Sequence, residues 1–549
     1  MKKIFTHPLS IISILTLAWF APILIGFTHR AYGLPGDPSG AIWSFYDSTL
    51  HPLTFGLTQP VLLAFEGWVL THLFGPVAAY NLLSIGAFFL TAWWGYRFFS
   101  TLLPRGWALF AALVVAWSPY HVLQSMQHLG IASIQYLMLL LWLLARSWRT
   151  PTLASAIMAG VAGALVVLHD YYLALIAGVV LITFSILFIA RHRLQGAIHT
   201  GINALVAGTL TVPFLWEIVR SVLVSGTIPV NLGLPVREAT ESAVYSIRAA
   251  NFVIPPLDHP LIGEVTQVAA RVQLLGSNLF EQTFWLGIVA LGIAGAMLVL
   301  KAPRALRHAK VVAIILIVLG LLFGVSSYNG THLEPSALAA VIHAVAPVFR
   351  VWARFGILVV IGVSILATIG LTRMSHYRTT RVFALLAAGF ILIEIFMLPA
   401  RSFEVSAQSV PGGLGRLAQD RPDAWVAVYP LAPSGEIRDS LYRTWTMFVP
   451  IKLWNLESDW NTHALTSEDY VNPFDSRVLA RLKSQRVQYL ALDLTAYQEG
   501  AVPPEILRYY DPIFPNFPLG YPFPTNPIPT ELKELTQYST GTIRIFEIQ

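Results

Sequence analysis

The chain has no cysteine, and only 12% of its 549 residues are Asp, Glu, Lys or Arg, against roughly 25% in an average soluble domain. The first absence excludes disulfides, thiolate zinc sites and a cysteine nucleophile. The second is uneven along the chain. Residues 1–400 hold 22 Lys or Arg and 12 Asp or Glu, a net +10, whereas 401–549 hold 13 and 17, a net −4. Apolar residues take the place of charge and make up 55% of the chain. This is the composition of a polytopic membrane protein with a more soluble tail, so the basic surplus belongs to membrane loops and needs no nucleic-acid partner.

A bilayer-crossing helix needs about 20 mostly apolar residues. The run Pro8 to Phe27, after Met1-Lys2-Lys3, meets this. It is longer than the usual signal-peptide core of about 7–15 residues and no small-x-small site follows, so it reads as an uncleaved anchor. Further spans are expected at 76–98, 106–126, 131–146, 152–169, 171–190, 197–216, 283–300, 311–326, 353–372 and 382–399, which makes about eleven. Short loops rich in Lys and Arg stay cytoplasmic. An inside N-terminus gathers Lys2, Lys3, Arg97, Arg105, Arg146, Arg149, Arg191, Arg193, Lys301, Arg304, Arg307, Lys310, Arg373, Arg378 and Arg381 on one side. The expectation is therefore a multi-pass protein of the inner (plasma) membrane, cytoplasmic at its N-terminus, with residues 1–400 in the membrane and 401–549 a periplasmic or extracellular domain.

Three outer loops are long, 28–75, 217–282 and 327–352, and function is sought there. Loop 28–75 carries Pro35, Pro38, Pro52 and Pro60 together with Trp43, Phe45, Tyr46, Phe65 and Trp68, which suit helices lying at the membrane interface. The tail combines Val426–Tyr429, Tyr489–Leu492 and Thr542–Phe546, of strand type, with a helical stretch at 475–486, and reads as a small α/β domain. Nine prolines between 502 and 530 imply an extended segment. No internal repeat is visible.

Several polar residues fall at the outer ends of the spans. Asp37, in Gly36-Asp37-Pro38, is placed to take a proton from a hydroxyl, or simply to form a turn; Asp47 is the fallback base. His169-Asp170-Tyr171-Tyr172 joins two spans and reads as a metal or sugar-hydroxyl site, or as a polar turn with an aromatic belt. His121, Gln124 and His128 share one face of a helix, lining a cavity or bonding to neighbouring helices. Arg350 and Arg354 open the tenth span four residues apart, hence stacked, where cations oppose the helix dipole and need an anion. A lipid-linked phosphate fits, gripped by guanidinium and free helix-start amides, as do ordinary phospholipid headgroups. Glu334 and His332 share that loop. Arg220, Arg237 and Arg248 in loop 217–282 are suited to an anionic glycan.

An acid in the first outer loop, polar and aromatic residues at the outer ends of spans and a soluble tail outside together resemble the GT-C superfamily of integral-membrane glycosyltransferases. The likeness is greatest to poorly characterised bacterial GT-C-like membrane proteins. It rests on Ala116-Trp117-Ser118-Pro119-Tyr120 followed by Gln127-His128-Leu129-Gly130, on Glu281-Gln282-Thr283-Phe284-Trp285-Leu286-Gly287, and on Phe349 to Gly356. It covers most of 1–400, and reaches the tail only loosely, through Trp454-Asn455 after Arg443-Thr444-Trp445. The resemblance implies transfer of a sugar from a polyprenyl-phosphate donor to a glycan, lipid or protein acceptor at the outer face. Asp37 would be general base, with inversion at the anomeric carbon; Arg350 and Arg354 would stabilise the departing phosphate, and His128, His169, Asp170 and Tyr171 would contact substrate. Many members carry an acidic pair in the first loop; its absence here favours a metal-free mechanism and leaves a divalent metal as the one cofactor in question. Two other readings stand beside this one: a lipid or glycan transporter, for which paired halves with interrupted helices are not evident, and a non-catalytic scaffold whose tail binds a partner.

Overall fold

A computed structural model of the chain describes residues 7–51, 60–225, 242, 244–272, 274–275, 278–328, 333–376, 378–397, 401–431, 437–454, 472–498, 523–524 and 526–549. Arg237, His332, Asn455 and most of the proline-dense 502–530 lie outside them, as does the Glu334 side chain. The chain forms two compact units: residues 1–21, 53–66 and 83–399 in the first, and 22–52, 67–82 and 400–549 in the second.

The first unit is a helical bundle. Its centre is the helix Gly356–Met374, in which every residue from Gly356 to Leu371 is buried. Around it pack Arg307–Gly324, Ile288–Val299, Arg105–Ala116 and Arg378–Ile395. A helix apolar on all sides belongs at such a centre. Among the described residues, five helices are long and apolar enough to cross a membrane, and a sixth if the bent pair Arg105–Ala116 and Pro119–Ser125 counts as one span. Pro8–Leu24, Leu153–His169 and Ile288–Val299 coincide with expected spans as shorter apolar helices. This is a mostly helical membrane protein.

Two expectations about helices need refinement. The span 106–126 is not straight: Pro119 lacks an N–H, so the helix stops at Ala116 and restarts at Pro119 with a 42° bend. Ser118 caps the new start by accepting from the His121 N–H at 3.3 Å. His128 is therefore not on the helix that carries His121 and Gln124; it precedes the short helix Leu129–Ala132. Helix Tyr171–Ser225 breaks at Arg193, whose φ is 50°. The rings of Phe188 and His199 are 4.9 Å apart, whereas eleven residues of straight helix would separate them by about 16 Å. The chain turns back at Arg193, and the two expected spans are the two arms.

The second unit is built on a five-stranded sheet in the order Lys452–Leu453, Trp425–Tyr429, Tyr489–Asp493, Ile543–Ile548, Leu532–Glu534. The first three strands are parallel and the last two antiparallel to their neighbours. Both faces are covered, so the strands are nearly continuous apolar runs. Val426, Val428, Ala491 and Ile545 pack with Leu414, Leu417, Tyr442 and Trp445 on one face. Ala427, Leu490, Leu492 and Phe546 pack with Leu479, Leu482 and Trp454 on the other. The α/β character of the tail is as expected.

Residues 28–52 of the first loop join this unit. Arg30–Tyr32 pairs antiparallel with Ser402–Glu404. Asn81 ties the same turn from the side: it accepts from the Tyr32 N–H at 2.9 Å and donates to the carbonyls of Phe27 at 2.9 Å and Arg30 at 2.7 Å. The interface helices expected in 28–75 are Asp37–Leu50 and Val61–Phe74. Helix Asp37–Leu50 packs on Ile437–Trp445, where Trp43 Nε1 donates to Thr446 Oγ1 at 3.1 Å and the Arg443 guanidinium stacks 5.1 Å from the Trp43 ring.

Three bonds to a fully buried amide imply a measurable cost of losing it. Asn81→Ala is expected to destabilise the purified protein by about 2–3 kcal/mol, read as a lowered melting temperature in detergent.

Candidate functional site

Loop 278–287 carries Glu281 into the first unit. Asn278 shapes the turn by accepting from the N–H groups of Phe280 at 3.0 Å and Glu281 at 3.3 Å. Gln282 anchors it by donating to the carbonyls of Val244 and Ser246 at 2.9 and 2.8 Å. Glu281, 2% exposed, then meets three donors. The Arg354 guanidinium grips both carboxylate oxygens, with Nε at 3.0 Å from Oε2 and Nη2 on Oε1. Gln124 donates to Oε2 at 2.7 Å, and His128 Nε2 lies 3.1 Å from Oε1. Burial pushes the Glu281 carboxyl up, but Arg354 and His128 outweigh it and hold the carboxyl well below the usual carboxylate range.

Arg354 is itself enclosed. Its guanidinium lies 4.1 Å from the Tyr172 ring centre, close enough for a cation–π contact, and its carbonyl accepts from Tyr120 at 3.3 Å. Tyr172 accepts in turn from the Arg350 N–H at 3.1 Å. The three sequence motifs thus converge: Tyr120 and His128 from the first, Glu281 from the second, Arg354 from the third. Tyr120 also stacks on Phe284 at 5.4 Å.

Asp170, also buried, accepts from the Leu173 N–H at 2.9 Å. Burial raises its carboxyl, against the pull of Arg354. A Cβ on Gly130 would lie 2.7 Å from Asp170 Oδ2, so position 130 must be glycine for this carboxylate to sit where it does. Beside it, His169 Nε2 lies 3.2 Å from Glu66 Oε2 without hydrogen-bond geometry, and Tyr136 donates to Glu66 Oε1. The Tyr136 and His169 rings are 4.8 Å apart. The Tyr171 hydroxyl is buried with no hydrogen bond among the described residues.

The structure brings His128, Asp170 and Arg354 into one polar cluster, with His169 at its edge. Arg350 and Arg354 are not stacked on a helix as expected: Val351, at φ −97° and ψ 78°, is non-helical, and only Arg354 lies in the 3₁₀ turn Trp352–Phe355. Arg350 lies over Tyr245 instead, 5.0 Å from the ring centre. The anion that the helix start requires for Arg354 is Glu281. Asp37 and Asp47 belong to the second unit. Asp37 is exposed and opens helix Asp37–Leu50 directly after Gly36, whose φ of 130° only glycine adopts readily. Asp47 lies 3.6 Å from His51, and burial raises its carboxyl against His51 and Arg443. Sequence reasoning gave no role to Glu281 and did not single out Glu66 or Tyr136; a lone acid in an apolar stretch was the available signal for both carboxylates. Among the described residues no group of three or more His, Asp or Glu is arranged to hold a metal ion.

Among solved structures, the chain is similar to the arabinofuranosyltransferase AftD from Mycobacteria, with a TM-score of 0.57 at 16% identity over 98% of this chain and 41% of that one. The likeness is one of fold, shared over nearly the whole of this chain with an arabinofuranosyltransferase. The chain corresponds to less than half of AftD's length. Two further similarities are to the Archaeoglobus fulgidus oligosaccharyltransferase, with a TM-score of 0.45 at 12% identity over 92% of this chain and 71% of that one, and to ArnT from Cupriavidus metallidurans bound to undecaprenyl phosphate, with 0.42 at 13% over 98% and 97%. No protein-family pattern and no curated protein matches by sequence. The polar cluster lies in the first unit and the first-loop acids Asp37 and Asp47 in the second.

Breaking a buried pair leaves an uncompensated charge. Glu281→Gln is expected to destabilise by about 3–5 kcal/mol, and Glu281→Leu with Arg354→Met by much less than the two single changes together. Because the folded carboxyl is depressed, its contribution is fully present above the ordinary value of 4.5 and is lost as pH falls below it. Melting temperatures of wild type and Glu281→Gln, followed through that acid range, are expected to converge.

Proposed function

We propose that the protein is a glycosyltransferase that moves a sugar from a polyprenyl-phosphate donor to a glycan, lipid or protein acceptor at the outer face of the membrane. The observation that carries this is the fold shared with an arabinofuranosyltransferase over nearly the whole chain. The residues suit the chemistry. Asp37 stands exposed at the start of a helix just beyond the first apolar helix, where a carboxylate can meet a substrate at the membrane surface. In the proposed step the acceptor hydroxyl gives its proton to Asp37 as its oxygen bonds to the anomeric carbon. The bond from that carbon to the phosphate oxygen breaks on the opposite face, and configuration inverts. The leaving phosphate is a stable anion and needs positive charge rather than an acid. Arg350 and Arg354 of the first unit are the cations we assign to that charge, Arg354 as one that already grips Glu281. No step is routed through a metal ion.

Asp37→Asn is expected to reduce transfer of a labelled sugar from polyprenyl-phosphate sugar, in proteoliposomes, by about 100- to 10,000-fold, with Asp47→Asn much milder. Equal activity of wild type and Asp37→Asn would remove the base from this reading, and no transfer by wild type across a panel of donors would favour the scaffold.

A further inference from the structure

The carboxylates of the first unit are not treated alike. Glu281 has its guanidinium. Asp170 caps a helix start and feels Arg354. Glu394 accepts from the N–H groups of Ile288 and Val289 at 2.9 and 3.1 Å. Glu66 has no Lys or Arg within ion-pair distance among the described residues; its partners are the Tyr136 phenol and the His169 imidazole. The adjoining segment 52–59 contains no basic residue either. A carboxylate in a helical membrane unit with no guanidinium or ammonium beside it is an expensive group, and such groups mark functional sites.

Its setting suits one ligand chemistry. Three separate helices supply Glu66, Tyr136 and His169, so the carboxylate is fixed in orientation. Each of its oxygens meets one neighbour and keeps a further lone pair. The Glu66 side chain is 23% exposed while His169 behind it is 1% exposed. Two acceptors side by side match adjacent hydroxyls of a sugar ring. The lone negative charge repels a uronate or phosphorylated ring.

We infer that Glu66, held by Tyr136 and lying beside His169, is a subsite for the adjacent hydroxyls of a neutral sugar. This rests on the glycosyl-transfer reading only for the ligand being a sugar, and binding is measured without turnover. The test is saturation-transfer NMR on the full-length protein in nanodiscs, with methyl glycosides of glucose, galactose, mannose and arabinofuranose, and methyl glucuronide as the charged control. At least one neutral glycoside is expected to receive saturation from wild type and from Asp37→Asn, and methyl glucuronide none. Glu66→Gln is expected to weaken that binding about 10- to 100-fold, the worth of a hydrogen bond to a charged group, without lowering the melting temperature, because Gln keeps the shape and removes the uncompensated charge. Tyr136→Phe is expected to weaken it less. Binding unchanged in Glu66→Gln, a preference for glucuronide, or no neutral glycoside bound by wild type overturns the subsite. So does a Glu66→Gln protein that melts lower yet binds as wild type, which would make Glu66 structural. Loss of binding in Glu66→Gln with transfer intact in Asp37→Asn would keep the subsite and remove the assigned base.

Discussion

A carboxylate carried into an apolar helical bundle loses its water, and the several kcal/mol this costs must be met by donors fixed in place. Glu281 imposes that constraint on the first unit. Arg354 meets both its oxygens, Gln124 and His128 complete the set, and Tyr172 covers the guanidinium. These groups come from four places far apart in sequence, so the pair dictates how those places must pack. The bend at Pro119 brings Gln124 to the carboxylate, the non-helical Val351 lets Arg354 leave the helix axis, and the Asn278 turn delivers Glu281 itself.

In the second unit the constraint is backbone pairing rather than charge. The segment just after the first apolar helix must leave it with its N–H and C=O groups satisfied. Strand Arg30–Tyr32 finds a partner in Ser402–Glu404, and Asn81 takes up what the strand pair leaves. The turn ends at Gly36, whose positive φ starts helix Asp37–Leu50 with Asp37 in its first turn. The acid's exposure follows from that sequence of steps, since a first-turn carboxylate beyond a glycine has its outer side open and a favourable dipole beneath it.

Much of this was legible in the sequence, and the reasons differ by element. The apolar runs declared themselves because lipid leaves the backbone no alternative to helix. Trp425–Tyr429 and Tyr489–Asp493 were readable because a strand buried on both faces is a short apolar run between turn residues. The motif residues were readable as a set, yet their partners were not. The reason is long range: Glu281 and Arg354 are 73 residues apart, and nothing local says which acid a buried arginine will choose. Arg350 and Arg354 misled for a related reason. Four-residue spacing implies stacking only inside a helix, and residue 351 is where the helix has not yet begun. Glu66 escaped because the residues around it in helix Val61–Phe74 are apolar; the groups near it arrive from the start of one other helix and the end of another.

Two acids of the first unit, Glu281 and Glu66, therefore answer one cost in opposite ways. Glu281 is stabilised by a guanidinium that fits both its oxygens, and a carboxylate so occupied has little left to offer a ligand. Glu66 is held by a phenol, with an imidazole 3.2 Å away that makes no hydrogen bond to it, and it has no guanidinium beside it among the described residues. In a low-dielectric bundle the first arrangement favours a rigid fold and the second a reactive or binding surface, because only an unsatisfied group gains by meeting something new. A protein whose membrane unit had needed that position for stability alone would do better with an apolar residue there, as buried ion pairs replaced by apolar side chains show. The persistence of an uncompensated acid beside a buried histidine, in a chain otherwise sparing with charge, is the physical ground for placing a sugar there.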